Sequence, residues 1–261
     1  MSELEPKRSP FSRRSVQLFA VAIAGLLALG ALIGGFTRGG GTSLKPTGNI
    51  GRAGGSTGTT LPLGKALTAT LASLMGLTPL HSRVAPSFGL EDQLGHRVTL
   101  AGLRGRPVVL TFADAGCTGI CPIEMAELRD GEHDLGAKSA HVELLVVNID
   151  TAHRSVADIA RLAALTGLGG LRTFHALTGP PGALRTVRTA YGVQVSIDVA
   201  HRATLYEPLI VFIDPSGREV YSATPSAFEL ANRRYILPES QIAAFGRGIA
   251  HFAASLLPSS T

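Results

Sequence analysis

The strongest constraint on how this chain folds is the stretch "RPVVLTFADAGCTGICPIEMAEL" from residue 106 to 128. PVVLTF is apolar, rich in β-branched and aromatic residues, and reads as a buried strand. Pro122 to Leu135 has helical apolar spacing at Ile123, Met125, Ala126, Leu128 and Leu135. Cys117 and Cys121, the two cysteines of the chain, therefore sit where a buried strand hands over to a helix. Backbone N–H groups and the positive end of the helix dipole converge there, which lowers thiol pKa and favours thiolate. In a helical first turn, positions i and i+4 share a face, so the two sulfurs can close a disulfide or hold a soft cation. Pro122 is tolerated because its missing N–H would be unpaired in that turn. So short a disulfide loop removes little unfolded-state entropy, so a purely structural staple is the weakest of these readings.

The rest of the chain supplies the frame. "VELLVVNID" (142–150) is a second buried strand, followed by a helix over 156–165. "RTFHALTG" is a short strand or turn, and "PGALRTVRTAYGV" a helix opening at Pro181. A strand pair lies around Phe88 and 98–100, and 209–223 forms a hairpin turning at Asp214–Gly217. A final amphipathic helix runs over 239–257. Strands alternating with helices describe an α/β fold; the cysteine position narrows it to a thioredoxin-like fold.

With 45% hydrophobic and 16% charged residues, the chain is apolar enough to call for a membrane segment. Residues 16–36, VQLFAVAIAGLLALGALIGGF, carry no charge and as a helix would span about 31 Å, the thickness of a bilayer core. Lys7, Arg8, Arg13 and Arg14 precede the run, whereas Arg38 and Lys45 alone follow nearby. The bias places residues 1–15 in the cytoplasm, 16–36 as a single transmembrane helix, and the bulk outside the cell membrane. Residues 37–82 read as a Gly/Ser/Thr-rich tether with a short helix, and 83–261 as the thioredoxin-like domain. The formal charge of +5 is thinly spread, without a basic block, which excludes nucleic-acid binding as a theme.

The segment from "APSFGLEDQLGHRVTL" through "GCTGICPIEMAEL", with later "VVNID", "ALTG", "AYGV" and "FIDPSG", resembles the Sco/SenC family over roughly residues 84–221. The hallmark C-x-x-x-C-P falls on Cys117, Cys121 and Pro122; a thioredoxin would show C-x-x-C. The resemblance implies a membrane-anchored copper chaperone serving assembly of cytochrome c oxidase, with Cu(I) held by Cys117, Cys121 and a histidine. His201 in "SIDVAHRATLYEPLIVFIDP" is the candidate, and the copper-bearing oxidase subunit is the implied partner. His201 stands fourteen residues before Pro215, whereas the family histidine stands about nine before, where this chain has Tyr206. Pro208 occupies the place where thioredoxin-like oxidoreductases carry a cis-proline. Asp114 would tend to raise thiol pKa, and "NIDTAHRS" keeps Asp150 but loses the family's following proline. These departures favour a second expectation, a metal-free thiol–disulfide oxidoreductase in which Cys117 attacks and Cys121 resolves.

Overall fold

The computed structural model describes residues 63–116, 119–198, 203–225, 227–229 and 235–258. The chain divides into residues 1–58 and 59–261, and every described residue belongs to the second unit. The apolar run at 16–36, Cys117 and His201 lie outside the described residues. Among the described residues, no helix is long and apolar enough to cross a membrane.

The described unit is built on a six-stranded mixed sheet. Its strands are β1 (Thr78–Pro79), β4 (Val108–Ala113), β5 (Glu143–Asn148), β6 (Phe174–Leu177), β9 (Ile210–Ile213) and β10 (Glu219–Ala223), in the order β1-β10-β9-β4-β5-β6. β4, β5 and β6 are parallel; β9 runs against β4, and β10 against β9. The β9–β10 turn is closed by Gly217 N–H donating to Asp214 O at 2.8 Å. Gly217 sits at φ +75°, a conformation that other L-residues adopt only with strain.

β4, β5 and β9 are buried along their whole length, as expected of strands covered on both faces. The period of two divides their side chains between two cores. Val109 and Ala113 of β4, Leu144 and Val146 of β5, and Ile210 and Phe212 of β9 enter one core. Val108, Leu110, Phe112, Leu145, Val147, Val211 and Ile213 enter the other. Each fully buried Phe or Leu contributes about 1.5–3 kcal/mol of transfer free energy.

The first core is covered by α1 (Leu63–Leu74), α2 (Cys121–Leu135), α3 (Val156–Thr166) and α5 (Glu239–Ser255), represented by Leu71, Leu128, Ile159 and Ile249. The second is covered by α4 (Pro181–Ala190) and by the hairpin of β2 (Gly89–Glu91) and β3 (Arg97–Thr99). α1, with Leu71 and the following Met75, packs into the first core, so part of the segment read as tether belongs to the folded unit. Ser155 begins α3 with a reciprocal capping box to Asp158, and Gly167 ends it in the left-handed conformation. α2 and α5 cross on glycines: a Cβ at Gly246 would lie 2.9 Å from the Gly131 backbone nitrogen.

Two hairpins go beyond the sequence reading. β7 (Val195–Asp198) pairs with β8 (Ala203–Tyr206), and β11 (Phe228–Glu229) pairs with β12 (Tyr235–Ile236). There are no cis peptide bonds among the described residues. The bond before Pro208 is therefore trans, and Pro208 precedes the buried strand β9.

Candidate functional site

The site lies at the carboxyl ends of the parallel strands β4 and β5, where α/β sheets present their ligand-binding loops. Asn148, the last residue of β5, laces the two loops together. Its Oδ1 accepts from Ala115 N–H at 3.2 Å and from Asp150 N–H at 3.0 Å. Its Nδ2 donates to the carbonyls of Asp150 at 3.0 Å and His153 at 2.8 Å. One buried amide thus fixes both the approach to the cysteines and the turn that follows β5. Ile149 N–H adds a bond to Ala113 O at 2.9 Å, carrying the parallel ladder one residue further.

Cys121 is the first residue of α2 and is 2% exposed. It is disulfide-bonded, and among the described residues there is no free cysteine. Its Sγ lies 3.3 Å from the Tyr206 hydroxyl. Tyr206 in turn contacts Glu124 Oε2 at 2.6 Å. A phenol has one proton. With Glu124 ionised, Tyr206 donates to the carboxylate; with Glu124 protonated, the acid can donate to the phenol oxygen and the phenol proton can face sulfur.

Glu124 and Glu127 lie one turn apart on α2, and both are buried. Burial pushes the Glu124 carboxyl up to about 7 despite the opposing hydrogen bond from Tyr206. Burial, with the neighbouring charges of Glu124 and Asp130, pushes Glu127 up to about 8. Among the described residues, neither Glu127 oxygen has a hydrogen-bond partner, nor has Glu124 Oε1. Glu127 also borders a cavity of about 680 Å³ shared with Thr70, Ser73, Leu237 and Phe245. Burial, reinforced by Glu124, likewise raises the Tyr206 hydroxyl, which stays protonated.

A second polar group adjoins the same loop. Asp114 is 7% exposed and receives the Gly116 N–H at 2.7 Å. Burial raises its pKa, against the opposing hydrogen bonds from Thr204 of β8 and from Gly116. Asp150 binds the His153 ring, Oδ2 to Nδ1, at 2.5 Å. Burial works to raise Asp150, but the Ala152 N–H and His153 outweigh it and hold the carboxyl low. The same hydrogen bond raises His153.

The structure therefore brings Cys121 together with Tyr206 and Glu124, and Gly116 together with Asp114, Asp150 and His153. Cys117 and His201 carry no described geometry. The flanking strand β8 does reach the cysteine site, through Thr204 and Tyr206. The position where the family register calls for histidine thus holds a tyrosine whose hydroxyl faces Cys121 sulfur. Glu124 and His153 were not singled out from sequence. Glu124 is three residues past Cys121, hence on its helical face, and His153 follows the β5 end within "NIDTAHRS".

The SCO1/SenC family profile matches residues 78–226. Among solved structures, the chain is similar to ScoI of Bradyrhizobium japonicum with copper bound, at TM-score 0.51 and 21% identity, covering 67% of this chain and 99% of that one. It is similar to yeast Sco1 with copper bound, at 0.50 and 19% identity, covering 68% and 92%. It is also similar to a SCO1/SenC family lipoprotein from Bacillus anthracis, at 0.54 and 14% identity, covering 69% and 98%. These likenesses establish the thioredoxin-like fold. No curated protein sequence matches the chain.

Proposed function

The chain belongs to the SCO1/SenC family, and from that premise we propose that it is a membrane-anchored, extracytoplasmic copper carrier that binds Cu(I) through Cys117 and Cys121. In this reading it passes the ion to a copper-bearing subunit of cytochrome c oxidase. The observation that carries the reading is the placement of Cys121 at the start of α2, after a buried strand, in a C-x-x-x-C-P match to a family whose solved members include copper-bound forms. The donor set fits. Two thiolates are soft ligands suited to Cu(I), and a helix start favours their ionised form. Residues 16–36, uncharged and preceded by four basic residues, supply the anchor.

Redox state gates the carrier. A disulfide offers no thiolate, so loading begins with two electrons and two protons from a dithiol donor, which leaves two thiols. Cu(I) then displaces both protons as it binds, and leaves by exchange onto the ligands of the acceptor. Cys121 is buried, so the chain's own residues shelter its sulfur from water, and Tyr206 orients it. Tyr206 itself is no substitute for imidazole, because a neutral phenol is a poor ligand for a soft monovalent cation.

That same contact favours a second reading, a thiol–disulfide oxidoreductase. Cys121 touches a hydroxyl backed by a buried acid, an arrangement that suits a proton-handling thiol. One experiment separates the two. The full chain, reduced in detergent without oxygen, is titrated with Cu(I) against a chelator, alongside Cys117→Ser, Cys121→Ser and an insulin-reduction assay. One tightly held copper, weakened by either serine, supports the carrier. Binding no tighter than in the double-serine protein, together with insulin reduction, overturns it in favour of exchange.

A further inference from the structure

Three helices enclose the cavity that Glu127 borders. Its volume is about 680 Å³, within the range of small-molecule sites. α1 contributes Thr70, Ser73 and Leu74, α5 contributes Gln241 and Phe245, and Leu237 precedes α5. Thr70 and Ser73 stand three apart on α1, and Gln241 and Phe245 four apart on α5, so each pair shares a helix face. Thr70, Ser73, Leu74 and Gln241 are exposed, whereas Phe245 and Glu127 are buried. The cavity therefore opens among the first group and ends on the second.

Glu127 gives the cavity its chemistry. Both of its oxygens lack a hydrogen-bond partner among the described residues, although buried polar side chains ordinarily have one. The hydroxyls lining the cavity do not supply it; that of Thr70 donates to Ala66 O at 3.0 Å instead. Two unpartnered acceptors call for a head group with several N–H donors. Among the described residues that line the cavity, none is basic and Glu127 is the one acid. Charge complementarity therefore selects a cation. The apolar surfaces of Leu74, Leu237 and Phe245 select a hydrocarbon chain behind it.

We propose that this cavity binds a small amphipathic amine, its ammonium head on the Glu127 carboxylate and its hydrocarbon chain against Leu74, Leu237 and Phe245. The Ser73 hydroxyl and the Gln241 amide oxygen line the same cavity and can accept the remaining N–H. The carboxyl is shielded from water, so the head enters as the long exposed side chains of Leu74 and Gln241 turn aside. Binding carries a proton balance. Burial, with the charges of Glu124 and Asp130, keeps Glu127 protonated to about pH 8. Those two acids share its helix, and the α1 and α5 residues lining the cavity carry no titratable group. The amine arrives as R–NH3+, the carboxylic acid gives its proton to solvent, and an ion pair remains; no covalent bond forms. Affinity therefore rises with pH until Glu127 ionises unaided. This assignment stands independently of the copper reading.

The test uses the full chain in its disulfide form, with n-hexylammonium as the probe. Titration calorimetry at pH 7 in buffers of different ionisation enthalpy reads affinity and proton release together. One bound amine per chain is expected, with close to one proton released. Affinity should rise about tenfold between pH 6 and pH 7, and hexan-1-ol should bind at least about tenfold more weakly than the amine. Glu127→Gln, nearly the same shape, should lose at least about tenfold in affinity and release no proton. Ser73→Phe, a change at an exposed position, should fill the cavity and block the probe while the thermal melt stays that of wild type. Equal binding by Glu127→Gln, or hexan-1-ol bound as tightly as the amine, overturns the assignment. So does a wild-type chain that binds no hexylammonium at millimolar concentration.

Discussion

Replacing Glu127 by glutamine should stabilise the protein, increasingly so as pH rises from about 4.5 to about 8. Glu127 is fully buried with both oxygens unpartnered, and its carboxyl is raised from 4.5 to about 8. The folded state therefore holds a proton that the unfolded chain releases above about pH 4.5. That contribution is fully present at low pH and is lost as pH rises through about 8. At about 1.36 kcal/mol per pKa unit, ionisation opposes folding by about 5 kcal/mol at the ceiling; relaxation and water entry reduce this. Glutamine has nearly the same shape and stays neutral, so the variant escapes the loss. Calorimetric melts of wild type and Glu127→Gln between pH 5 and 9 should coincide within a few degrees at pH 5. They should diverge by roughly 5–15 °C at pH 9, the variant higher. Glu124 titrates in both proteins, so the difference between the curves reports Glu127 together with its charge coupling to Glu124. Parallel curves across the whole range would refute the reasoning, since a carboxyl that ionises without cost is not desolvated.

Gly246→Ala should destabilise the fold by about 1–3 kcal/mol, because the added methyl meets Asp130 Cβ at 2.6 Å and the Gly131 backbone nitrogen at 2.9 Å, atoms held by the helix backbone; denaturant unfolding measures it. Ser155→Ala removes the oxygen that caps Asp158 N–H at 3.1 Å and should cost about 1 kcal/mol in the same assay. Tyr206→Phe removes the hydroxyl between Cys121 and Glu124. The predicted result is Cu(I) affinity within a few-fold of wild type and a changed midpoint in a glutathione redox titration. A loss of copper comparable to that of a cysteine variant would make the phenol a ligand and contradict its reading here.

The central strands were legible because they are apolar along most of their length. PVVLTF, ELLVVN and IVFI leave no polar face, and the sheet buries both sides of each. The helices at 121 and 181 announce themselves through Pro122 and Pro181. The β7–β8 hairpin gave no such signal. Its strands are short, and Tyr206 earns its place by a contact with Cys121 that no local pattern encodes. Glu124 and Glu127 look like ordinary solvated positions of an amphipathic helix. Glu124 lies under Tyr206 of β8, and Glu127 faces Thr70 and Ser73 of α1 and Phe245 of α5, which is a tertiary effect. His153 is hidden for a related reason. Its partner Asp150 is near in sequence, but its approach to Gly116 depends on Asn148 lacing two loops from different strands. The cysteine pair was found by motif, whereas the residues around it were set by packing.

The central claim, a redox-gated Cu(I) site, is tested most directly by copper stoichiometry on the full chain in its two oxidation states. The account predicts one Cu(I) per chain after anaerobic reduction, none after oxidation to the disulfide, and full recovery on renewed reduction. Equal copper in both states would contradict it, because it would place the metal on ligands other than Cys117 and Cys121.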